Sequence, residues 1–214
     1  MEDFPLPGIP CTPDAPPSPL ILNAPEFTQA AVLVPCIPTP TGWHIGFEVR
    51  AHGIPQEGEI CFPGGLVEPH DPSPLHTALR ETHEELGIPG SRIPHIRYAG
   101  AFLSASGRLI HVFPALVPSW DEAHPSPDEV SHLFTLPLSW LRTTPPRIHH
   151  VRLTLHPREG ETELLPASRL GLPSLYHTPW KGPLRPIYLW HTPHGPLWGI
   201  TAGILYHLLH PSRG

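Results

Sequence analysis

The chain has 214 residues, with 13 Lys and Arg against 19 Asp and Glu, a formal net charge of -6 and a hydrophobic fraction of 39%. That length supports a hydrophobic core without disulfide staples, and the acidic balance, with Lys181 the single lysine, offers no basic footprint for a nucleic-acid backbone. No stretch reaches the roughly 18 apolar residues of a membrane span. Met1-Glu2-Asp3 is acidic where a secretory leader is basic, so a cytoplasmic protein is expected. Cys11, Cys36 and Cys61 are odd in number and lack metal-type spacing.

Proline is the compositional outlier, at 34 residues, eight of them in the first 26. Residues 1–27 therefore read as an extended arm, either a strap over its own domain or a loose tail, and residues 28–214 as one domain. Ala30–Val34 predicts a buried strand ended by Pro35, and Trp43–Val49 alternates after Pro40-Thr-Gly42, which predicts a hairpin. Strands are expected at Arg97–Leu103 and Leu109–Val117, joined by the turn Ser104-Ala-Ser-Gly107, with weaker ones at His132–Leu136 and Ile148–Leu155. Residues 156–186 are rich in Pro and Gly and predict a long irregular loop, the kind that often forms a lid or substrate wall. Ile187–Trp190 and Pro196–Trp198 flank Thr-Pro-His-Gly195 as a hairpin, and Ile200, Ile204, Leu205, Leu208 and Leu209 recur at helical spacing.

The chemistry concentrates between Glu59 and Ile88. Leu75–Ile88 contains no proline and carries Gly87 where helices commonly stop. At about 100° per residue, with Glu81 at zero, Glu84 falls near 300° and Glu85 near 40°, while Leu75, Leu79 and Leu86 lie almost opposite. The helix should bury a leucine stripe and show an acidic one. Three acids on one arc repel one another; Arg80 supplies one compensating charge, and a divalent cation would supply two. Hard oxygen donors suit Mg²⁺ or Mn²⁺. A solvated Glu face has the same spacing, but the tight turn Phe62-Pro-Gly-Gly65 upstream and Asp71 in the connecting loop favour a site.

Gly65, five residues, Asp71, eight residues, then Arg80-Glu-x-x-Glu-Glu-x-Gly87 resembles the Nudix box, the mark of hydrolases that split a diphosphate linked to another moiety. The usual box has Glu at the Asp71 position and seven residues before the Arg. This variant, preceded by Gly58-Glu-Ile-x-Phe-Pro-Gly-Gly65, resembles the coenzyme A pyrophosphatase branch, as do Pro127–Val130 with Leu136–Leu138, and Trp198–Leu205. That branch normally carries two arginines ahead of this segment; Arg50 matches the first, but Ile54 stands near the place of the second.

The resemblance implies an α/β (α+β) Nudix fold, with a mixed β-sheet sandwiched between α-helices. It implies that Glu81, Glu84 and Glu85 bind Mg²⁺ or Mn²⁺, with Glu81 or Glu84 also polarising a water, and that Glu129 lies where a late acid approaches the metal. Arg80 would clamp the loop or a glutamate, Asp71 would act behind the ligands or as a loop cap, and Gly64 and Gly65 would let backbone approach closely. Arg50 is the expected phosphate contact, and Trp180 the tryptophan best placed to stack a base. Glu57 and Glu59 lie close by, but the Glu59 position accepts Gln in the family, unlike an obligatory ligand. No histidine is assigned to a metal. The implied substrate is coenzyme A or an acyl derivative, giving 3′,5′-ADP and 4′-phosphopantetheine; the alternatives are another nucleoside diphosphate compound (a dinucleotide or nucleotide sugar) or a silent binding module. Nothing in the sequence fixes the oligomeric state, and a homodimer stays among the options.

Overall fold

The computed structural model describes residues 5–6, 26–118 and 120–211. Within them the elements run β1 Thr28–Thr39, β2 Gly42–Arg50, β3 Ile60–Cys61, β4 Gly64–Leu66, α1 Pro74–Leu86, β5 Gly100–Leu103 and β6 Arg108–Leu116. There follow β7 Val130–Pro137, α2 Leu138–Thr143, β8 Arg147–Leu155, β9 Arg158–Glu159, β10 Thr162–Glu163, β11 Trp180–Thr192, β12 Gly195–Trp198 and α3 Gly199–Leu209. The arm expected over residues 1–27 lies outside the described residues, Cys11 included, except for Pro5, Leu6, Glu26 and Phe27. At Pro5–Leu6 the chain is held: Leu6 is buried in the core, and Arg142 Nη2 donates to the Pro5 carbonyl at 2.6 Å. The chain divides into two compact units, residues 1–147 with 188–214, and residues 148–187.

The first unit is built on a seven-stranded mixed sheet of order β3-β2-β1-β6-β5, with β4 added to β1 and β7 to β2. β1 and β6 are parallel, from Thr28 opposite Arg108 to Cys36 opposite Leu116; the other pairs are antiparallel. Alternation along β1 feeds two cores. Ala30, Val34 and Cys36 pack with Ile45, Phe47 and the α3 residues Ala202, Ile204 and Leu205. Ala31, Leu33 and Ile37 pack with Phe113 and with Ala78 and Leu86 of α1. The sheet thus lies between helices.

β1 does not stop at Pro35, as the sequence suggested; it continues to Thr39. Leu33 N–H donates to the Pro63 carbonyl, so by alternation residue 35 aims its nitrogen at the same side, past the β4 pairs and before the β2 pairs begin at Cys36. Pro38 aims at the β6 side, beyond the last parallel pair at Cys36. Neither proline removes a ladder bond, which is the condition for proline in a strand. Similarly, only Gly100–Leu103 of the strand expected over 97–103 is regular, although Arg97 N–H and Ala99 N–H already bond to Pro114 and Val112 of β6.

In the second unit, β8 and the first part of β11 are joined by an Arg152 Nη1 bond to the Gly182 carbonyl at 2.9 Å. The stretch expected to be irregular holds the short β9–β10 hairpin around Gly160, and β11 begins at Trp180 despite Pro183 and Pro186. Proline's fixed φ suits extended backbone, and in a narrow ribbon one flank needs no donor.

Candidate active site

α1 is fixed by its ends. Ser73 caps it, with Oγ accepting from His76 N–H at 3.4 Å; Pro74 occupies the first turn, and Gly87 closes it at φ 68° with its N–H on the His83 carbonyl. The face it buries differs from the expected leucine stripe. Thr77, Ala78, Thr82, Glu85 and Leu86 are buried, whereas Leu75 and Leu79 are only partly so. The acidic arc is therefore turned inward: Glu85 is buried, Glu81 nearly so, and Glu84 stays exposed.

The β3–β4 turn receives these acids. Gly64 N–H donates to Glu85 Oε2 at 2.8 Å. Gly64 has φ 152°, and a Cβ there would stand 2.3 Å from the Ala31 carbonyl oxygen. At Gly65 a Cβ would stand 2.2 Å from Glu81 Oε1. Each glycine is required by a close approach, one of backbone to backbone and one of backbone to carboxylate.

Arg80 ties the face together. Its Nη1 lies 2.9 Å from both Glu81 Oε1 and Glu84 Oε2, Nε donates to Asp71 Oδ1 at 3.1 Å, and Nη2 reaches Asp71 Oδ2 at 3.0 Å and the Leu66 carbonyl at 3.3 Å. Asp71, its side chain 3% exposed, also accepts from Thr77 Oγ1 and Glu68 N–H. The Arg80 bonds hold its carboxyl well below the usual carboxylate range. Asp71 thus anchors the arginine that orients the glutamates, and it caps the loop before α1.

Glu48, on β2, completes the cluster and escaped the sequence reading. It is 1% exposed, accepts from Cys61 Sγ at 3.1 Å through Oε1, and leaves Oε2 buried with no hydrogen-bond partner. Its one sequence signal is a carboxylate in the otherwise apolar run Ile45–Val49. Burial pushes the Glu85 carboxyl well above its ordinary value, and the charge of Glu48 pushes it further; Glu48 is raised by burial in the same way. Burial also raises Glu81, against the opposing effect of Arg80. Glu129, exposed before β7, adds its negative charge to all three and shares their surroundings.

Whether these residues suit a divalent cation can be read from that imbalance. Among the described residues no three His, Cys, Asp or Glu side chains already stand close enough to hold an ion. Glu81 and Glu84 are instead drawn onto Arg80, one cation among several acids, and the Glu48 Oε2 orphan and the raised Glu85 mark negative charge in want of more. The donor set is all oxygen and matches Mg²⁺ or Mn²⁺. His83 is exposed and takes no part.

Beside the turn lies a cleft of about 540 Å³ lined by Gly64, Gly65, Arg50, Glu59, Arg108 and Trp198, among others. Arg50 enters from the end of β2, its Nε donating to the Pro55 carbonyl at 2.9 Å. Glu59 faces the cleft and accepts from Gln56 Nε2; Glu57 pairs with His52 and accepts from Gly53 N–H. The indole brought to the cleft is Trp198, 44% exposed. Trp180 belongs to the second unit, where it stands edge-on to Tyr176. The sequence reading preferred Trp180 to Trp198 as the stacking indole and did not single out Arg108, since exposure in a cleft leaves no periodic trace.

Residues 47–158 match the NUDIX domain family. The uncharacterized Nudix hydrolase NudL of Photorhabdus laumondii is 30% identical over 84% of this chain and 82% of its own length. NudL of Yersinia pestis (strain Pestoides F) is 32% identical over 84% of this chain and 77% of its own. Among solved structures, the NUDIX domain of Shewanella oneidensis NrtR complexed with ADP ribose is 19% identical, covering 56% of this chain and 78% of that one at a TM-score of 0.45. No described helix is long and apolar enough to cross a membrane. The chain belongs to the Nudix hydrolase family and is a pyrophosphatase-type hydrolase.

Proposed function

We propose that this hydrolase splits the diphosphate of coenzyme A or an acyl derivative, with Glu81, Glu84 and Glu85 holding Mg²⁺ or Mn²⁺ and Glu129 and Glu48 adding negative charge beside them. The observation that carries this reading is the buried, under-compensated carboxylate cluster packed against the Gly64–Gly65 turn at the edge of a cleft. A bound divalent cation supplies charge neutralisation for the diphosphate and makes water easier to deprotonate.

The chain's own residues do the rest. Gly64 N–H fixes the Glu85 carboxylate, and Gly65, lacking a side chain, leaves room for that of Glu81. Arg80, held by Asp71, keeps Glu81 and Glu84 together on one face of α1. Glu81 or Glu84 takes the proton of the attacking water. Arg50, lining the cleft, contacts a phosphate oxygen, and Trp198 stacks on the base. The coenzyme A assignment itself rests on Gly58–Gly65 and the Asp71 variant of the box.

Ile54, where the branch pattern has a second arginine, favours a second reading: another nucleoside diphosphate compound with less charge at its nucleotide end. A panel of coenzyme A, ADP-ribose and NADH, with Mg²⁺ or Mn²⁺ and product identification, separates the two. Coenzyme A turning over no faster than the others removes the specific assignment. Glu84→Gln and Glu85→Gln should each lower kcat by at least about a hundredfold with thermal stability nearly unchanged; activity in both would remove these residues from the chemistry.

A further inference from the structure

Arg108 opens β6 and lines the same cleft as Arg50 and Trp198. Its backbone is held in place: Arg108 N–H donates to Ser104 Oγ at 2.9 Å, and the residue pairs with Thr28 of β1. Its side chain is exposed, and among the described residues no carboxylate pairs with it. Glu59 is the only acid lining the cleft among those residues, and it bonds Gln56. A guanidinium lining a substrate cleft, its backbone held and with no carboxylate partner among the described residues, suits an anion from outside.

The register gives the distance between Arg108 and the acidic cluster. Gly65, against which the Glu81 carboxylate rests, pairs with Ala31, and Ala31 pairs with His111. Arg108 is three residues along β6 from His111, about 10 Å, and two strand spacings, again about 10 Å, separate β6 from β4. The two backbones are therefore about 14 Å apart. That span suits two anionic groups of one elongated molecule, one at Arg108 and one at the acidic cluster.

We propose that Arg108 is a specificity-determining residue that binds a phosphomonoester carried by the substrate away from the scissile diphosphate. This deepens the reading given above and rests on it for the position of the reacting diphosphate. The ligand class is a nucleotide bearing a further phosphate on its ribose, whose dianion suits bidentate guanidinium binding.

Calorimetric titration without metal, using 3′,5′-ADP and 5′-AMP as probes, tests the contact independently of turnover. The wild-type chain should bind 3′,5′-ADP at least tenfold more tightly than 5′-AMP. Arg108→Ala should erase that preference, and Arg108→Lys, which keeps the charge and guards against a folding artefact in the alanine variant, should retain part of it. In steady state, the ratio of kcat/KM for coenzyme A over its 3′-dephospho form should collapse in Arg108→Ala, chiefly through KM. Equal binding of the two probes by the wild-type chain, or a preference that survives in Arg108→Ala, overturns the proposal even if coenzyme A is hydrolysed. A wild-type chain that prefers 3′,5′-ADP through Arg108 but leaves coenzyme A intact overturns the coenzyme A assignment and supports the contact.

Discussion

Gly65→Ala separates the site from the fold. The added Cβ would lie 2.2 Å from Glu81 Oε1 and 2.4 Å from its Cδ, whereas ordinary contact begins at 3.4 Å. The carboxylate must therefore retreat by roughly 1.2 Å, and a displacement of about 1 Å in a reacting group costs on the order of 10²-fold in rate. That corresponds to about 2.7 kcal/mol on the barrier. The obstacle is the end of a flexible side chain, and the backbone at residue 65 is not left-handed, so the fold should tolerate the change.

Gly64→Ala is the contrasting case. There the Cβ would meet the Ala31 carbonyl oxygen at 2.3 Å and Val32 Cα at 2.7 Å, at φ 152° and against the backbone of β1. No side chain can turn away, so it should destabilise by about 3 kcal/mol or more. Melting curves and steady-state hydrolysis with Mg²⁺ on both variants make the comparison. Gly65→Ala should keep Tm within about 2 °C, while kcat falls about a hundredfold. Near wild-type kcat in a well-folded Gly65→Ala protein would show that the position of the Glu81 carboxylate does not matter, and would refute the argument.

Three further outcomes follow from the same geometry. Glu85 and Glu48 are raised above their ordinary value of 4.5, so the metal-free folded chain binds more protons than the unfolded one. Their contribution to stability is full below about pH 4.5 and is lost as pH rises through the raised values. In EDTA this carboxylate pair should make Tm fall toward alkaline pH, and Mg²⁺ should raise it most there; an equal Mg²⁺ effect at acid and alkaline pH would contradict the charge imbalance. Asp71→Asn weakens two charge-assisted bonds to Arg80, for about 2–3 kcal/mol or about 5–10 °C in Tm, and Asp71→Glu should restore part of it; an unchanged melt would show that Arg80 is held without it. Leu6→Ala should cost about 2–4 kcal/mol, since Leu6 is among the largest fully buried side chains, and a surface-like effect in denaturant titration would detach this part of the arm from the core.

What could be read in advance divides along a physical line. The end of α1 was legible because Gly87 acts on the backbone beside it, whereas the Ser73 cap and Pro74 came only with the structure. The clustering of Glu81, Glu84 and Glu85 on one arc followed from helical spacing alone. The direction that arc faces did not, because it depends on the partner. α1 packs Ala78, Thr82 and Leu86 against the sheet, and that choice carries Glu85 inward with them. Pro35 misled for a related reason, since a local breaker is harmless where the neighbouring strands leave a gap in the ladder.

Glu48 shows the same limit from the other side. Strand alternation could place it on the face opposite Phe47, but only the register of β2 with β3 and the seating of α1 bring it beside Glu85. Two buried carboxylates, both raised by burial and Glu85 further by the charge of Glu48, one with an oxygen left unbonded, make an arrangement that folding alone disfavours. A glutamine at either place would keep the shape and remove the repulsion. The acids are thus explained by what they can bind, and the glycines at 64 and 65 by the approach this binding needs.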